Sequence, residues 1–180
     1  MFIPSLGNVS NTYKAWTVRI LKRFWEDVLE EKFPLRKGEG PRTEVHPQPY
    51  VTTEEVSQLL NVASSNKRDY AIIQVLIDTL IRRDELCNLN RDDYRDGSLQ
   101  IRLSKREGYR TVRLSEEAKE ALNAYLKSRR DQNLALFTNF KDSGRIKPYS
   151  VTLMLKKYFK ELGIGKLGKA GHAIRRGGVT

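Results

Sequence analysis

The chain has 180 residues, 39% hydrophobic and 31% charged, with a net charge of +11. That composition supplies one folded core, or one domain and part of another, and excludes wholesale disorder. No apolar run approaches the roughly 20 residues of a membrane span, and the opening MFIPSLGNVS lacks the basic start and apolar stretch of a secretion signal, so a cytoplasmic setting is expected. A single cysteine, Cys87, excludes an internal disulfide, and with only His46 and His172 as imidazoles no metal is expected.

Along the chain, residues 11–31 space Tyr13, Trp16, Ile20, Leu21, Phe24, Trp25, Val28 and Leu29 as one apolar helical stripe. PLRKGEGPRTEVHPQP follows, holding four of the six prolines and no apolar period, and reads as a linker with a domain boundary near residues 34–50. Thr52 and Glu55 form a capping-box pattern ahead of Val56, Leu59, Leu60 and Ala63, which predicts a helix start. DYAIIQVLIDTLIR, residues 69–82, is apolar on most sides and predicts the central core helix, with Arg82 emerging at its end. Leu99, Ile101 and Leu103 alternate with polar residues, as does TVRL at 111–114, so SKREGYR between them predicts a hairpin. Ser115 reads as the N-cap of a helix over 116–130, and Val151, Met154, Leu155, Tyr158, Phe159 and Leu162 predict another over 150–162, stopped by Gly163. The fold class expected is mainly α with a small antiparallel β-sheet.

The charge is concentrated. Residues 145–180 carry Arg145, Lys147, Lys156, Lys157, Lys160, Lys166, Lys169, Arg175 and Arg176 against Glu161 alone, and residues 101–113 carry Arg102, Lys105, Arg106, Arg110 and Arg113 against Glu107. Two basic segments on an otherwise balanced chain fit a face for a polyanion, most simply nucleic acid; a merely soluble basic surface is the plain alternative.

Three places along the chain carry chemistry. Arg82 leaves the apolar helix; it could simply solvate the helix end, or offer its planar fork of donors to phosphoryl oxygens, with Glu85 one turn on to orient it. A hairpin tip bearing Lys105, Arg106 and Arg110 is either solvated charge or a device for following a phosphate backbone. In His172-Ala173-Ile174-Arg175 an imidazole and a guanidinium lie about one helical turn apart, so both can face one oxyanion.

In order and context these residues resemble the tyrosine recombinase family. DTLIRRDELCNLNRDDY is similar to that family's Thr-Gly-Leu-Arg, Glu-Leu box, LSKREGYRTVRLS to its Gly-Lys-Gly-x-Lys-x-Arg hairpin, ALFTNFKDSGRIKPYS to its Leu-Phe segment, and HAIRRGGVT to its His-x-x-Arg box. YVTTEEVSQLL resembles the opening helix of the catalytic domain, and NTYKAWTVRILKRFW the tail of the helical core-binding domain. Leu80 stands where the family carries glycine, and Arg176-Gly177-Gly178 replaces the usual residues after the second arginine.

The resemblance implies the DNA breaking-rejoining fold, with residues 1–33 ending a core-binding domain, 34–50 linking, and 51–180 forming a catalytic domain truncated at its C-terminus. It implies Arg82, Lys105, His172 and Arg175 as catalytic residues, Glu85 as support, and Arg106, Arg110, Lys147, Lys169 and Arg176 as DNA contacts. Double-stranded DNA is the implied partner, with no cofactor, no metal, a monomer in solution and an oligomer on DNA. Strand cleavage in the family proceeds through a phosphotyrosyl intermediate; Tyr158 lies on its helix's apolar stripe, upstream of His172, and reads as core. The family places its nucleophilic tyrosine downstream of the His-x-x-Arg box, where this sequence has no tyrosine, so the resemblance implies no nucleophile within this chain, and DNA binding without recombination is expected. The alternatives are a binding-only remnant or regulator derived from a recombinase, and a basic RNA-binding protein.

Overall fold

The protein is described from a computed structural model, which covers residues 9–35, 40–43, 50–102, 108–140, 144–164 and 174. The chain divides into two compact units, Met1–Pro47 and Gln48–Thr180. The first unit contains helix α1, Asn11–Val28, started by the Ser10 hydroxyl, which accepts the Tyr13 N–H at 3.2 Å. No described helix is long and apolar enough to cross a membrane.

The second unit is built in chain order from α2 (Thr53–Ala63), α3 (Lys67–Thr79), a short α4 (Arg83–Asn88), a 3-10 turn at Arg91–Asp93, strands β1 (Tyr94–Arg95), β2 (Ser98–Arg102) and β3 (Tyr109–Arg113), α5 (Glu116–Ser128) and α6 (Pro148–Glu161). It is mainly helical, with one antiparallel sheet in the order β1-β2-β3 among the described residues. The expected capping box is present: Thr52 Oγ1 accepts the Glu55 N–H at 3.3 Å, and the Glu55 carboxylate accepts the Thr52 N–H at 2.9 Å. Ser115 caps α5 as expected, and its own N–H donates to Asp78 Oδ2 at 3.0 Å, tying the start of α5 to α3.

The core is continuous across the helices and the inner face of the sheet. Ile72, Ile73 and Val75 of α3, Leu99 and Ile101 of β2, Leu122 of α5, and Val151 and Leu155 of α6 are fully buried. Side chains removed from water this completely supply the main driving force for the fold.

Two expectations change in detail. The helix predicted over 69–82 stops at Thr79, because Leu80 takes the left-handed conformation, φ 50° and ψ 28°, and the chain then runs extended into α4. The family's glycine at this position matches that geometry, since only glycine adopts it without a Cβ clash. Leu80→Val is expected to lower unfolding free energy by about 1–2 kcal/mol, measured by urea titration, because a β-branched side chain fits the left-handed region least well. An unchanged midpoint would mean the backbone relaxes there freely.

The second change is β1, unanticipated from sequence. Arg95 pairs with Ser98 across Asp96-Gly97, whose φ values are 50° and 71°. Positive φ at both central residues is what a tight two-residue hairpin requires, and Asp-Gly is a favoured pair for it.

Candidate functional site

Arg82 sits at the N-cap of α4 with φ −71° and ψ 147°. An arginine has no acceptor to cap a helix, so the local order comes from the other half of the motif. The Glu85 carboxylate reaches back, and its Oε2 accepts the Arg82 backbone N–H at 2.9 Å while Oε1 accepts from Arg82 Nη1 at 2.9 Å. One carboxylate thus holds both the main chain and the side chain of Arg82, fixing the direction in which the guanidinium leaves the fold.

Glu85 is itself out of water: its side chain is 0% exposed, whereas that of Arg82 is 44% exposed. Burial alone pushes its carboxyl pKa up, but the hydrogen bonds from the Arg82 N–H and guanidinium, with the charges of Arg82 and Arg110, outweigh it and hold the group below the ordinary carboxylate value. Glu85 is therefore an anion, and Arg110 Nη2 lies 3.4 Å from its Oε2. Two guanidiniums on one buried carboxylate leave a surplus positive charge, and both cations are partly open to solvent.

Arg83, the next residue, turns the other way and donates from Nη1 to Thr152 Oγ1, which in turn donates to the Pro148 carbonyl at 3.1 Å. This joins the start of α4 to the first turns of α6. Lys147, a predicted contact residue, is the exposed N-cap of that helix, and Pro148 occupies its first turn. The exposed Tyr149 follows it.

Other predicted site residues fall elsewhere. Arg110 belongs to β3, not to the hairpin tip where the sequence reading put it: it pairs with Ile101 in the ladder. Arg145, counted in the second basic segment, is committed internally, donating from Nη1 to the Cys87 and Leu89 carbonyls at 2.9 and 2.8 Å. Tyr158 is buried, its hydroxyl donating to Asp69 Oδ2 at 3.0 Å; burial, then the Asp69 charge, push its pKa up to about 12. A phenol so held resists forming the phenolate a nucleophile needs, in keeping with its reading as core. Lys105, Arg106, Lys169, His172, Arg175 and Arg176 lie outside the described residues. Ile174, between His172 and Arg175 in sequence, is buried in the core.

The reading from sequence overlooked the inward placement of Arg110. A usable signal was present: Val112 and Leu114 were read as the apolar side of an alternating strand, and two residues back from Val112 on that same face is Arg110.

Residues 49–179 match the profile of the phage integrase family. The tyrosine recombinase XerC of Caldanaerobacter subterraneus subsp. tengcongensis is 32% identical over 155 residues, covering 83% of this chain and 43% of that protein. Tyrosine recombinase XerA of Pyrococcus furiosus is 32% identical over 154 residues, covering 82% and 53%. The chain thus spans about half the length of the curated relatives it matches. Among solved structures, an XerA recombinase superposes with TM-score 0.64 at 28% identity, over 97% of this chain and 62% of the other. A DNA-bound lambda integrase fragment, residues 75–356, superposes with TM-score 0.73 at 16% identity, over 98% and 66% of the two chains. The latter likeness concerns the fold alone.

Proposed function

Because the chain belongs to the phage integrase family of tyrosine recombinases, we propose that Gln48–Thr180 is the DNA-contacting catalytic domain of a site-specific recombinase and that Arg82 is one of its ligands for the scissile phosphate. The observation that carries this reading is the Glu85 carboxylate, fully buried and bonded to both the backbone and the guanidinium of Arg82. Burying a carboxylate is costly, and a chain that merely needed to solvate a helix end would have no use for one here. Nη1 is committed to Glu85 and the remaining donors of the fork meet no partner among the described residues, so in this reading they point at phosphoryl oxygens in a fixed direction, which is the preorganisation that stabilises charge developing in a transition state.

In this reading strand cleavage passes through a phosphotyrosyl bond, the attacking tyrosine is not Tyr158, and no metal or cofactor takes part. Arg82 and Arg175 neutralise the equatorial oxygens of the phosphorane-like transition state, each acting by roughly 10²-fold or more. Lys105 protonates the leaving 5′ oxygen, and His172 holds a phosphoryl oxygen or handles the tyrosine proton. Arg106, Lys147, Lys169 and Arg176 follow the backbone of duplex DNA. Residues 1–33 close a helical DNA-holding domain joined through 34–50. The protein works in the cytoplasm as a monomer that assembles on DNA.

The test is a salt titration of duplex binding by this chain and by Arg82→Ala, beside a nicked suicide substrate that traps covalent adducts. Loss of one phosphate contact is expected to lower the log-log salt slope by about 0.9. Affinity and slope unchanged by Arg82→Ala would end the proposal. Equal binding to structured RNA would favour a different class of partner.

A further inference from the structure

The β2–β3 ribbon turns one arginine toward the core. Its ladder pairs Leu99 with Val112 and Ile101 with Arg110, and Leu99 and Ile101 are fully buried. Alternation therefore puts Arg110 on the inner face of β3 with Val112, while Tyr109, Thr111 and Arg113 are exposed. A guanidinium sent to that side needs an anion, and the one it meets is Glu85. Arg110 Nε is buried and has no hydrogen-bond partner among the described residues, so the contact with Glu85 is the polar link seen between this side chain and its surroundings.

Glu85 thus receives donors from two separate elements. Its Oε1 is taken by the Arg82 guanidinium, and its Oε2 is shared between the Arg82 backbone and Arg110. We propose that Arg110 is a positioning residue for Arg82: by clamping the second oxygen of Glu85 it stops the carboxylate from turning about its own axis, and so holds the first oxygen against the Arg82 fork. The same clamp fastens the ribbon whose connecting segment carries Lys105 to the start of α4, so one buried anion sets the arginine and the ribbon relative to each other. This departs from the expectation that Arg110 itself follows the DNA backbone, and it rests on the reading of Arg82 as a phosphate ligand.

Two measurements test it on the full chain. In the first, a double-mutant cycle in duplex DNA affinity compares Arg82→Ala, Arg110→Ala and both together. Arg110→Ala is expected to weaken binding roughly 10-fold in the parent and to have no further effect once Arg82 is gone, since coupled residues are not additive. Arg110→Lys, which keeps a cation opposite Glu85, is expected to recover most of the loss. Additive losses, each removing about 0.9 from the salt slope, would identify Arg110 as a direct phosphate ligand and overturn the proposal. A lowered melting temperature with unchanged affinity overturns it too, leaving Arg110 a structural residue.

The second measurement follows the Arg82 Nε–Hε resonance in a nitrogen-proton correlation spectrum without DNA. Arg110→Ala is expected to shift or broaden it; an unmoved resonance would sink the clamp. Because this readout involves no DNA, a failure of the phosphate-binding reading, seen as Arg82→Ala leaving affinity intact, is distinguishable from a failure of the clamp.

Discussion

Arg129→Ala is expected to lower unfolding free energy by about 3–5 kcal/mol, the range for removing one partner of a buried ion pair. The Arg129 side chain is 1% exposed and closes the C-terminal end of α5. Its Nε donates to Asp131 Oδ2 at 2.8 Å, Nη2 donates to Asp131 Oδ1 and to the Asn133 carbonyl, and Nη1 donates to the carbonyls of Ala135 and Leu136. The guanidinium also lies 5.7 Å from the centroid of the Tyr125 ring, which stacks on Phe137. Deletion takes the shortest partner from the Asp131 carboxylate, leaving it the Asn133 N–H at 2.8 Å and Arg91 at 3.4 Å, and removes the guanidinium donors from the carbonyls of Asn133, Ala135 and Leu136. The hydrogen bond from Arg129, acting against burial, holds the Asp131 carboxyl far below its ordinary range, so this anion persists even in acid. Arg129→Lys is expected to recover only a minority of the loss, because an ammonium cannot reproduce a planar fork that serves several acceptors. Thermal and urea unfolding decide the matter, with exposed Arg102→Ala as the reference, expected within about 0.5 kcal/mol of the parent. A comparably small effect at Arg129 would mean that water replaces the fork at little cost.

Glu85→Ala is the second large effect, expected at about 2–3 kcal/mol, toward the lower side for a buried pair because both arginine partners are partly hydrated. The change removes the acceptor for the Arg82 N–H and leaves two guanidiniums facing each other. The pH dependence follows from the lowered pKa. The folded state holds Glu85 below the ordinary carboxylate value of 4.5, so its contribution is fully present above that value and disappears as pH falls through the lower folded one. The stability gap between the parent and Glu85→Gln, measured by urea unfolding, is therefore expected to be wide at neutral pH and to narrow in acid. A gap independent of pH would show that the charge of Glu85 contributes nothing.

Much of this fold was legible locally. Thr52 with Glu55, and Ser115 ahead of α5, announced helix starts because capping involves residues three apart and depends on little else. The period of Val151, Met154, Leu155, Tyr158 and Phe159 placed α6 correctly, and all five are buried. What escaped was set by contacts distant in sequence or by backbone geometry a residue name does not disclose. Leucine as a residue type gives no sign of a left-handed turn, and only the family's glycine at that position hints at one, so the apolar run reads as helix through to residue 82. Arg145 reads from sequence as basic charge, yet it answers carbonyls 56 and 58 residues away. Net charge along a chain therefore overstates the charge available at its surface. Arg82 and Glu85, by contrast, were paired from sequence because they are one helical turn apart.

The inward turn of Arg110 also bears on which length changes this domain can absorb. Side chains on a strand alternate with a period of two, so one residue inserted between Tyr109 and Leu114 exchanges the faces of everything on one side of it. Insertion after Arg110 would swing that arginine to solvent or force Val112 out of the core, and either way Glu85 loses a partner. The same single insertion between Arg102 and Tyr109 leaves the ladder in register. Homologues and engineered variants are thus expected to differ in length freely within the segment joining β2 to β3, and to keep one spacing from Arg110 to Leu114 throughout.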